Sequence, residues 1–285
     1  MRHFTISTTQ EELLKLSKIY DHHLKQDDNP HVLFHAVHNN IDVIGYKSGK
    51  VVLQGEGVTN ELVAIKKMLN KLDYEAIGSD EVGTGDVFGP IVVCALYASI
   101  EDIAFLESLN VRDSKNLNDK TIASIGPKIA KKLSHSLLIL HPKKYNQLTE
   151  KGYNLNKIKA LLHNQAIIKT ASKLEHEVPV IIDQFCTPQL YFNYLKDETL
   201  IHRDLEFHTK AEQVHISVAA ASIVARYAFL VSMHQYGKKL GLQLKKGASK
   251  QVDELIDQIA NDKGVEQLKL VAKMNFKNVT KQSIT

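Results

Sequence analysis

Cysteine is scarce in this chain of 285 residues: there are two, Cys94 and Cys186, each beside an apolar run. No CxxC pair and no Cys/His zinc spacing occurs. That pattern sets aside a disulfide framework and a thiolate-bound zinc, and two buried thiols in a reducing cytosol are expected. No apolar run approaches the ~20 residues that a membrane span needs. The opening MRHFTISTTQEELLKL turns polar too soon for a secretory signal. The expectation is a soluble cytoplasmic protein with no membrane partner. Internal repeats and low-complexity segments are absent. Neither sign of charge dominates, with 36 Lys and Arg against 32 Asp and Glu and a net charge of +4. This balance permits a nucleic-acid partner without demanding one. Nucleotide-loop patterns are missing too. GTGDVFG, residues 83–89, is not GxGxxG and lacks a Gly-Lys-Ser/Thr ending. A β-branched run, PIVVCA, follows it, where a phosphate loop would lead into a helix.

What is present is enough apolar material for a real core: 44% hydrophobic residues against 24% charged. The length suits one large domain or two ordinary ones. Residues 1–72 read as a small α/β module. STTQEELLKLSKIYDHHL carries Leu13, Leu14, Leu16 and Ile19 at helical spacing behind Ser/Thr capping candidates. HVLFHAVHNN and IDVIGYKSGKVVLQGEG read as strands, the second folded at KSGK into a hairpin. TNELVAIKKMLNKL is a second helix, with Thr59 or Asn60 as its expected cap.

Residues 73–285 read as a larger α/β domain. YEAIGSD is a strand that ends at two adjacent carboxylates, Asp80 and Glu81. GPIVVCALYAS follows so soon that the two strands should be antiparallel neighbours. SHSLLILHP, VPVIIDQF and TLIHRDLEFHT are further strands. DSKNLNDKTIASIGPKIAKKL is helical after its polar start, and residues 154–175 are helical. AEQVHISVAAASIVARYAFLVSMHQYGKKL is one long, small-faced helix. The chain ends in Lys-rich helical segments.

The carboxylates carry the chemistry. Adjacent strand residues point to opposite faces, so Asp80 and Glu81 can share a site only where the strand ends or bulges. A lone Asp-Glu pair usually decorates a surface. Asp183, where VPVIID would terminate, changes that balance. Carboxylates gathered at one sheet edge make oxygen-liganded Mg²⁺ or Mn²⁺ sites. Glu212, near the start of the Ala-rich helix, is a candidate fourth member, although an acidic first turn also favours the helix dipole. Such a set, without histidine or cysteine ligands, suits a hard cation that also holds phosphate oxygens, as in two-metal phosphodiester hydrolysis. His202, His208 and His215 match no zinc pattern and read as structural or surface residues.

Four segments, in order, then narrow the reading. DEVGTGDVFGP resembles the opening motif of the type 2 ribonucleases H in its ribonuclease HIII form. VRDSKNL, with Asp113, Ser114 and Lys115, follows as that family's Asp-Ser-Lys segment. VIIDQF and TKAEQVHISVAAASIVAR resemble its third and fourth acidic segments. Glutamate at 212 and the Gly-Thr-Gly loop point to the HIII form.

The resemblance implies an RNase H-like fold: an α/β architecture with a mixed five-stranded sheet, its first three strands antiparallel, flanked by helices. It also implies a small N-terminal TATA-binding-protein-like domain that holds substrate. The implied activity is endonucleolytic cleavage of the RNA strand of an RNA/DNA hybrid, leaving 5′-phosphate and 3′-hydroxyl ends. Asp80, Glu81, Asp183 and Glu212 are implied as metal-binding and catalytic residues. Gly83, Thr84 and Gly85 match the loop that contacts the nucleic-acid backbone and 2′-hydroxyls. Glycine lets peptide groups reach a 2′-hydroxyl, the group that marks RNA.

Further substrate candidates are Ser114, Lys115, Lys210, Lys246 and Ser249, together with Tyr46, Lys47 and Lys50 around the N-terminal hairpin. For the lysines an ordinary solvated surface role is the alternative. Two other functions stay open: ribonuclease HII-like cleavage at isolated ribonucleotides in DNA, and a non-catalytic hybrid-binding protein. A monomer is expected.

Overall fold

Period-two burial builds the first sheet. In the computed structural model, which describes residues 3–71 and 73–282 and only the backbone at Asp113, the chain divides into two units, one ending at Glu75 and one beginning at Ala76. The boundary expected near residue 72 falls beside Leu72, which lies outside the described residues. The first unit runs β1 (His3–Ser7), α1 (Gln10–Ile19), β2 (Val32–His38), β3 (Ile41–Tyr46), β4 (Lys50–Gly55) and α2 (Val58–Met68). The strands form an antiparallel sheet in the order β1-β4-β3-β2.

Along β3, Ile41, Val43 and Gly45 are buried while Asp42, Ile44 and Tyr46 stay half-buried. One face of the sheet is therefore core and the other open. Thr9 caps α1, and Glu12 completes a capping box. The expected cap of α2 is corrected. The helix begins after Gly57, which has a left-handed φ of 75°, and Thr59 and Asn60 lie inside it. Glycine turns the chain out of β4 sharply enough for the helix to start earlier.

The second unit holds β5 (Ala76–Val82), β6 (Ile91–Ala98), α3 (Ile100–Ser108), α4 (Asp119–Lys132), β7 (His135–Leu140), α5 (Pro142–Glu150) and α6 (Leu155–Ala171). It continues with β8 (Val180–Asp183), α7 (Pro188–Tyr194), β9 (Glu206–His208), α8 (Ala211–Val214), α9 (Ile216–Leu240), α10 (Lys250–Lys263), α11 (Val265–Val271) and α12 (Lys277–Thr280). The sheet is five-stranded, in the order β7-β6-β5-β8-β9. β5, β6 and β7 are mutually antiparallel, and β8 and β9 add in parallel. The mixed sheet is the one expected. Of TLIHRDLEFHT, only Glu206–His208 pairs.

β6 is buried on both faces. Val92, Cys94 and Leu96 pack with Ile122 and Ile129 of α4 and with Ala220, Ile223 and Val224 of α9. Val93 and Ala95 pack on the other face with Ala160 and Ile167 of α6. Gly78 makes the α9 contact possible: a Cβ there would run into the backbone of Ser217 and Val218.

Three expectations need correcting. The Ala-rich stretch is two helices, because His215 is extended at φ −143° and its side chain accepts from the Ser217 N–H to cap α9. By length and apolarity α9 is also long enough to cross a membrane, but 72% of its apolar window is buried inside the protein. Cys94 and Cys186 are free thiols, yet only Cys94 is buried.

Candidate active site

β5 carries Asp80 and Glu81, and β8, its parallel neighbour, ends at Asp183. Register pairs Ile182 with Ser79, so Asp183 stands level with Asp80 at the strand ends. Glu212 arrives on α8, after Lys210 turns the chain with a left-handed φ of 58°. The Asp183 carboxylate ties the two segments together: its Oδ1 accepts from the Ala211 N–H at 2.9 Å.

The four carboxylates do not have equivalent surroundings. Burial first, and then the charges of Glu81 and Asp183, hold the Asp80 carboxyl well above the usual range, although Ser222 and the Glu81 N–H hydrogen-bond to it. Asp183 is raised too, by burial and by the charges of Glu212 and Glu81. Glu81 goes the other way. Burial alone would raise it, but His163 and Lys159 pull it below the usual range. Lys159 Nζ lies 2.8 Å from Oε1 and His163 Nε2 lies 2.9 Å from Oε2. Glu212, also buried, is ion-paired with Lys115. That bond raises the Lys115 ammonium, and the charges of Asp183 and Asp80 add to the effect. All four carboxylates therefore share one electrostatic neighbourhood.

Sequence reasoning missed Lys159 and His163. They lie one turn apart on α6 and flank one ring. Lys159 Nζ is 4.0 Å from the Phe185 centroid. The His163 ring stacks on Phe185 at 5.3 Å and 29°. The one available signal was a Lys and a His at i, i+4 on an otherwise apolar helix face.

The Gly-rich loop divides in two. Gly83 has φ +89°, and a Cβ there would run into the Pro90 carbonyl and lie 3.1 Å from the Phe229 ring. Its need for glycine is thus met inside the fold, whatever approaches the loop from outside. Gly85 is exposed, with nothing within 4 Å of where a Cβ would stand. Thr84 beside it is half-buried.

Ser114 is buried, and its hydroxyl has no hydrogen-bond partner among the described residues. The Asp113 side chain lies outside the described residues. Lys246 does not project freely: it pairs with Asp119, which Arg226 also holds, at 2.7 Å. Ser249 starts α10 without a side-chain capping bond. Lys210 is exposed. In the other unit, the Gly49 N–H closes the hairpin onto the Tyr46 carbonyl at 2.8 Å. Lys47 there donates to the Pro30 carbonyl at 2.6 Å, and Lys50 is exposed.

The donor set fits a hard divalent cation. All four candidate ligands are carboxylates, and two of them are held above their usual range by burial and, after it, by mutual repulsion that a cation would relieve. Among the described residues, no three His, Cys, Asp or Glu side chains already stand as a closed metal-ligand cluster. Instead, Glu81 and Glu212 are occupied by lysines.

Comparison with known proteins places this geometry. The Ribonuclease HII family matches residues 77–279, and a domain of unknown function, DUF3378, matches residues 3–68. The chain is 50% identical to a ribonuclease HIII of Phytoplasma mali (strain AT), covering 100% of this chain and 99% of the relative. It is 39% identical to a ribonuclease HIII of Bacillus pumilus (strain SAFR-032), over 97% of each. The crystal structure of Bst-RNase HIII in complex with Mn²⁺ superposes with a TM-score of 0.72 at 37% identity, over 98% of this chain and 97% of that one. With the family matched over residues 77–279, more than half of the chain, and full-length relatives well above 30% identity, the chain belongs to the ribonuclease HIII proteins of the type 2 ribonuclease H family.

Proposed function

We propose that this ribonuclease H hydrolyses the RNA strand of RNA/DNA hybrids at the carboxylate cluster, with Asp80, Glu81, Asp183 and Glu212 holding Mg²⁺ or Mn²⁺. Bound there, a divalent cation supplies an activated water and charge neutralisation at the leaving oxygen, giving 5′-phosphate and 3′-hydroxyl ends. The observation that carries the reading is geometric: Asp80 and Asp183 stand level on adjacent parallel strands, the Ala211 N–H ties the Glu212 helix to Asp183, and Glu81 and Glu212 are each paired with a lysine. Such a site holds more negative charge than its two lysines offset.

The protein's own groups have separable tasks in this reading. Lys159 and His163 fix Glu81 at both oxygens. A carboxylate only accepts, so His163 Nε2 carries a proton, and in the neutral ring Nδ1 accepts from the Ser79 hydroxyl at 2.8 Å. Lys115 neutralises Glu212 while the cluster is free of metal, and it is exposed enough to turn to a phosphate. Ser114 offers an unspent hydroxyl beside it. The backbone at Thr84 and Gly85 meets the ribose 2′-hydroxyl.

The first unit would hold the hybrid. Tyr46, Ile44 and Val52 line the open face of its sheet, and Lys47 and Lys50 sit at its hairpin. All four carboxylates come from one unit of one chain, so the reading needs no second subunit, and a cytoplasmic monomer is proposed. Mn²⁺ titration by calorimetry tests the site: Asp183→Asn should weaken binding about tenfold or more. Unchanged affinity would remove Asp183 from the ligand set.

A further inference from the structure

Lys273 is wholly buried, and the carboxylate site does not use it. It follows α11, and its ammonium donates to two backbone carbonyls, Asp86 at 2.6 Å and Gly89 at 2.8 Å. Its own N–H donates to the Val87 carbonyl at 2.9 Å. The same segment receives the Gly89 N–H at the Val271 carbonyl, 2.9 Å away, and Ala272 pairs with Phe88 across a single antiparallel bridge. A second C-terminal stretch joins in. The Gly247 N–H donates to Asp86 Oδ1 at 2.6 Å, and its carbonyl accepts from the Val87 N–H at 3.1 Å.

Residues 86–89 are thus bonded along their length to the C-terminal part of the chain. They form the return leg of the loop whose outward leg is Gly83, Thr84 and Gly85. One leg is fastened, and the other ends in an exposed Gly85 with open space above it.

Burying an ammonium is costly. Burial pushes the Lys273 pKa down to about 7, against the pull of the Asp86 carboxylate. Methionine would fill similar volume without that cost. A multi-donor cation adds simultaneous bonds to inward-facing carbonyls at both ends of the 86–89 turn. Without it, both carbonyls would lose this donor, the Gly89 carbonyl in a buried setting.

We propose that Lys273 is a positioning residue for hybrid recognition: by clamping the Asp86 and Gly89 carbonyls it sets the height and tilt at which the Thr84–Gly85 backbone meets the ribose. The inference rests on the reading of Thr84 and Gly85 as the sugar-facing backbone. Lys273 touches neither the nucleic acid nor the carboxylates. Its effect is pre-organisation of a loop that would otherwise have to be ordered on binding.

The test uses the full chain with Lys273→Met and Lys273→Gln, assayed below both melting temperatures. Steady-state cleavage of an RNA/DNA hybrid gives KM and kcat. Binding in Ca²⁺ of that hybrid and of a DNA duplex of the same sequence gives the preference for RNA. Lys273→Met should raise KM about tenfold, equivalent to ~1.4 kcal/mol, while kcat stays within about twofold. The preference for hybrid should shrink by a similar factor. Lys273→Gln, which keeps an amide donor, should fall between, and it carries the test should the methionine variant not fold. Mn²⁺ affinity should not change.

A folded variant with a lower melting temperature but unchanged KM and unchanged preference would reduce Lys273 to packing and overturn the proposal. A loss confined to kcat would overturn it as well. Gly85→Val separates this proposal from the reading beneath it. If Gly85→Val leaves KM and preference intact, the sugar-facing reading fails. If it raises KM while both Lys273 variants do not, only the clamp fails.

Discussion

His163, wholly buried on α6, places its Nε2 2.9 Å from Oε2 of Glu81. Its other ring nitrogen is 2.8 Å from the Ser79 hydroxyl, two residues back along the same strand. One imidazole therefore holds one Glu81 oxygen and, together with Lys159 on the other, keeps that carboxylate below its usual range. His163→Ala should release one Glu81 oxygen and leave the Ser79 hydroxyl buried without that partner. The Mn²⁺ concentration for half-maximal cleavage should rise about tenfold or more. His163→Asn should recover part of this through its amide donor. A metal-activation curve unchanged in His163→Ala would show that the ring only fills space.

Asp80 should cost stability in the metal-free protein. A carboxyl whose folded pKa is raised binds more protons folded than unfolded between the ordinary carboxylate value and the raised one. Stability from this group therefore falls as pH rises through that window. Asp80→Asn removes the penalty, so in EDTA at pH 8 its melting temperature should exceed that of the wild type by about 2–4 °C. The gap should close near pH 4, where both forms are neutral, and cleavage should be lost throughout. A variant melting below the wild type at pH 8 would mean that burial and repulsion at this site do not hold Asp80 above its ordinary range.

Gly83 and Gly85 should respond differently to alanine. At Gly83 the added Cβ meets the Pro90 carbonyl and the backbone is left-handed, so Gly83→Ala should lower the melting temperature. Gly85→Ala has open space and should melt like the wild type while binding hybrid more weakly. Melting curves with hybrid binding in Ca²⁺ check both. A destabilised Gly85→Ala, or a Gly83→Ala as stable as the wild type, would contradict this division of the loop.

The first unit should add affinity rather than chemistry. A chain beginning at Ala76 keeps all four carboxylates and both faces of the larger core. It should still cleave, with weaker hybrid binding and a shallower dependence of binding on salt, because phosphate contacts are lost. Equal affinity and equal salt slope in the two forms would remove the substrate-holding role.

Much of the larger unit was legible because its signals are local. A β-branched run broken by glycines gave β5 and β6, and Asp183 stands where an apolar run stops. What could not be read came from distant chain segments. Lys159 and His163 reach Glu81 from a helix some eighty residues downstream, and Lys273 reaches Asp86 from near the C-terminus. Lys246 resembled a free basic residue until its partner Asp119 came into view. The break at His215 leaves no local sequence signal, because the stretch on both sides of it is good helix-forming sequence and the interruption depends on a histidine capping its own helix. The early start of α2 at Gly57 depends on a positive φ, which glycine permits without announcing.

A carboxylate cluster built around Asp80 and Asp183 should cleave RNA in a hybrid only with a divalent metal. This is tested most directly by incubating wild type and Asp183→Asn with an end-labelled RNA/DNA hybrid, in EDTA and in Mn²⁺, and mapping the product ends. The asparagine Oδ1 can still accept from the Ala211 N–H, so the variant should fold and give a native circular dichroism spectrum. The wild type should make internal RNA cuts with 5′-phosphate and 3′-hydroxyl ends in Mn²⁺ and none in EDTA, and the variant should cleave at least about a hundredfold more slowly. Cleavage by the wild type in EDTA, or near-normal cleavage by the folded variant, would contradict it.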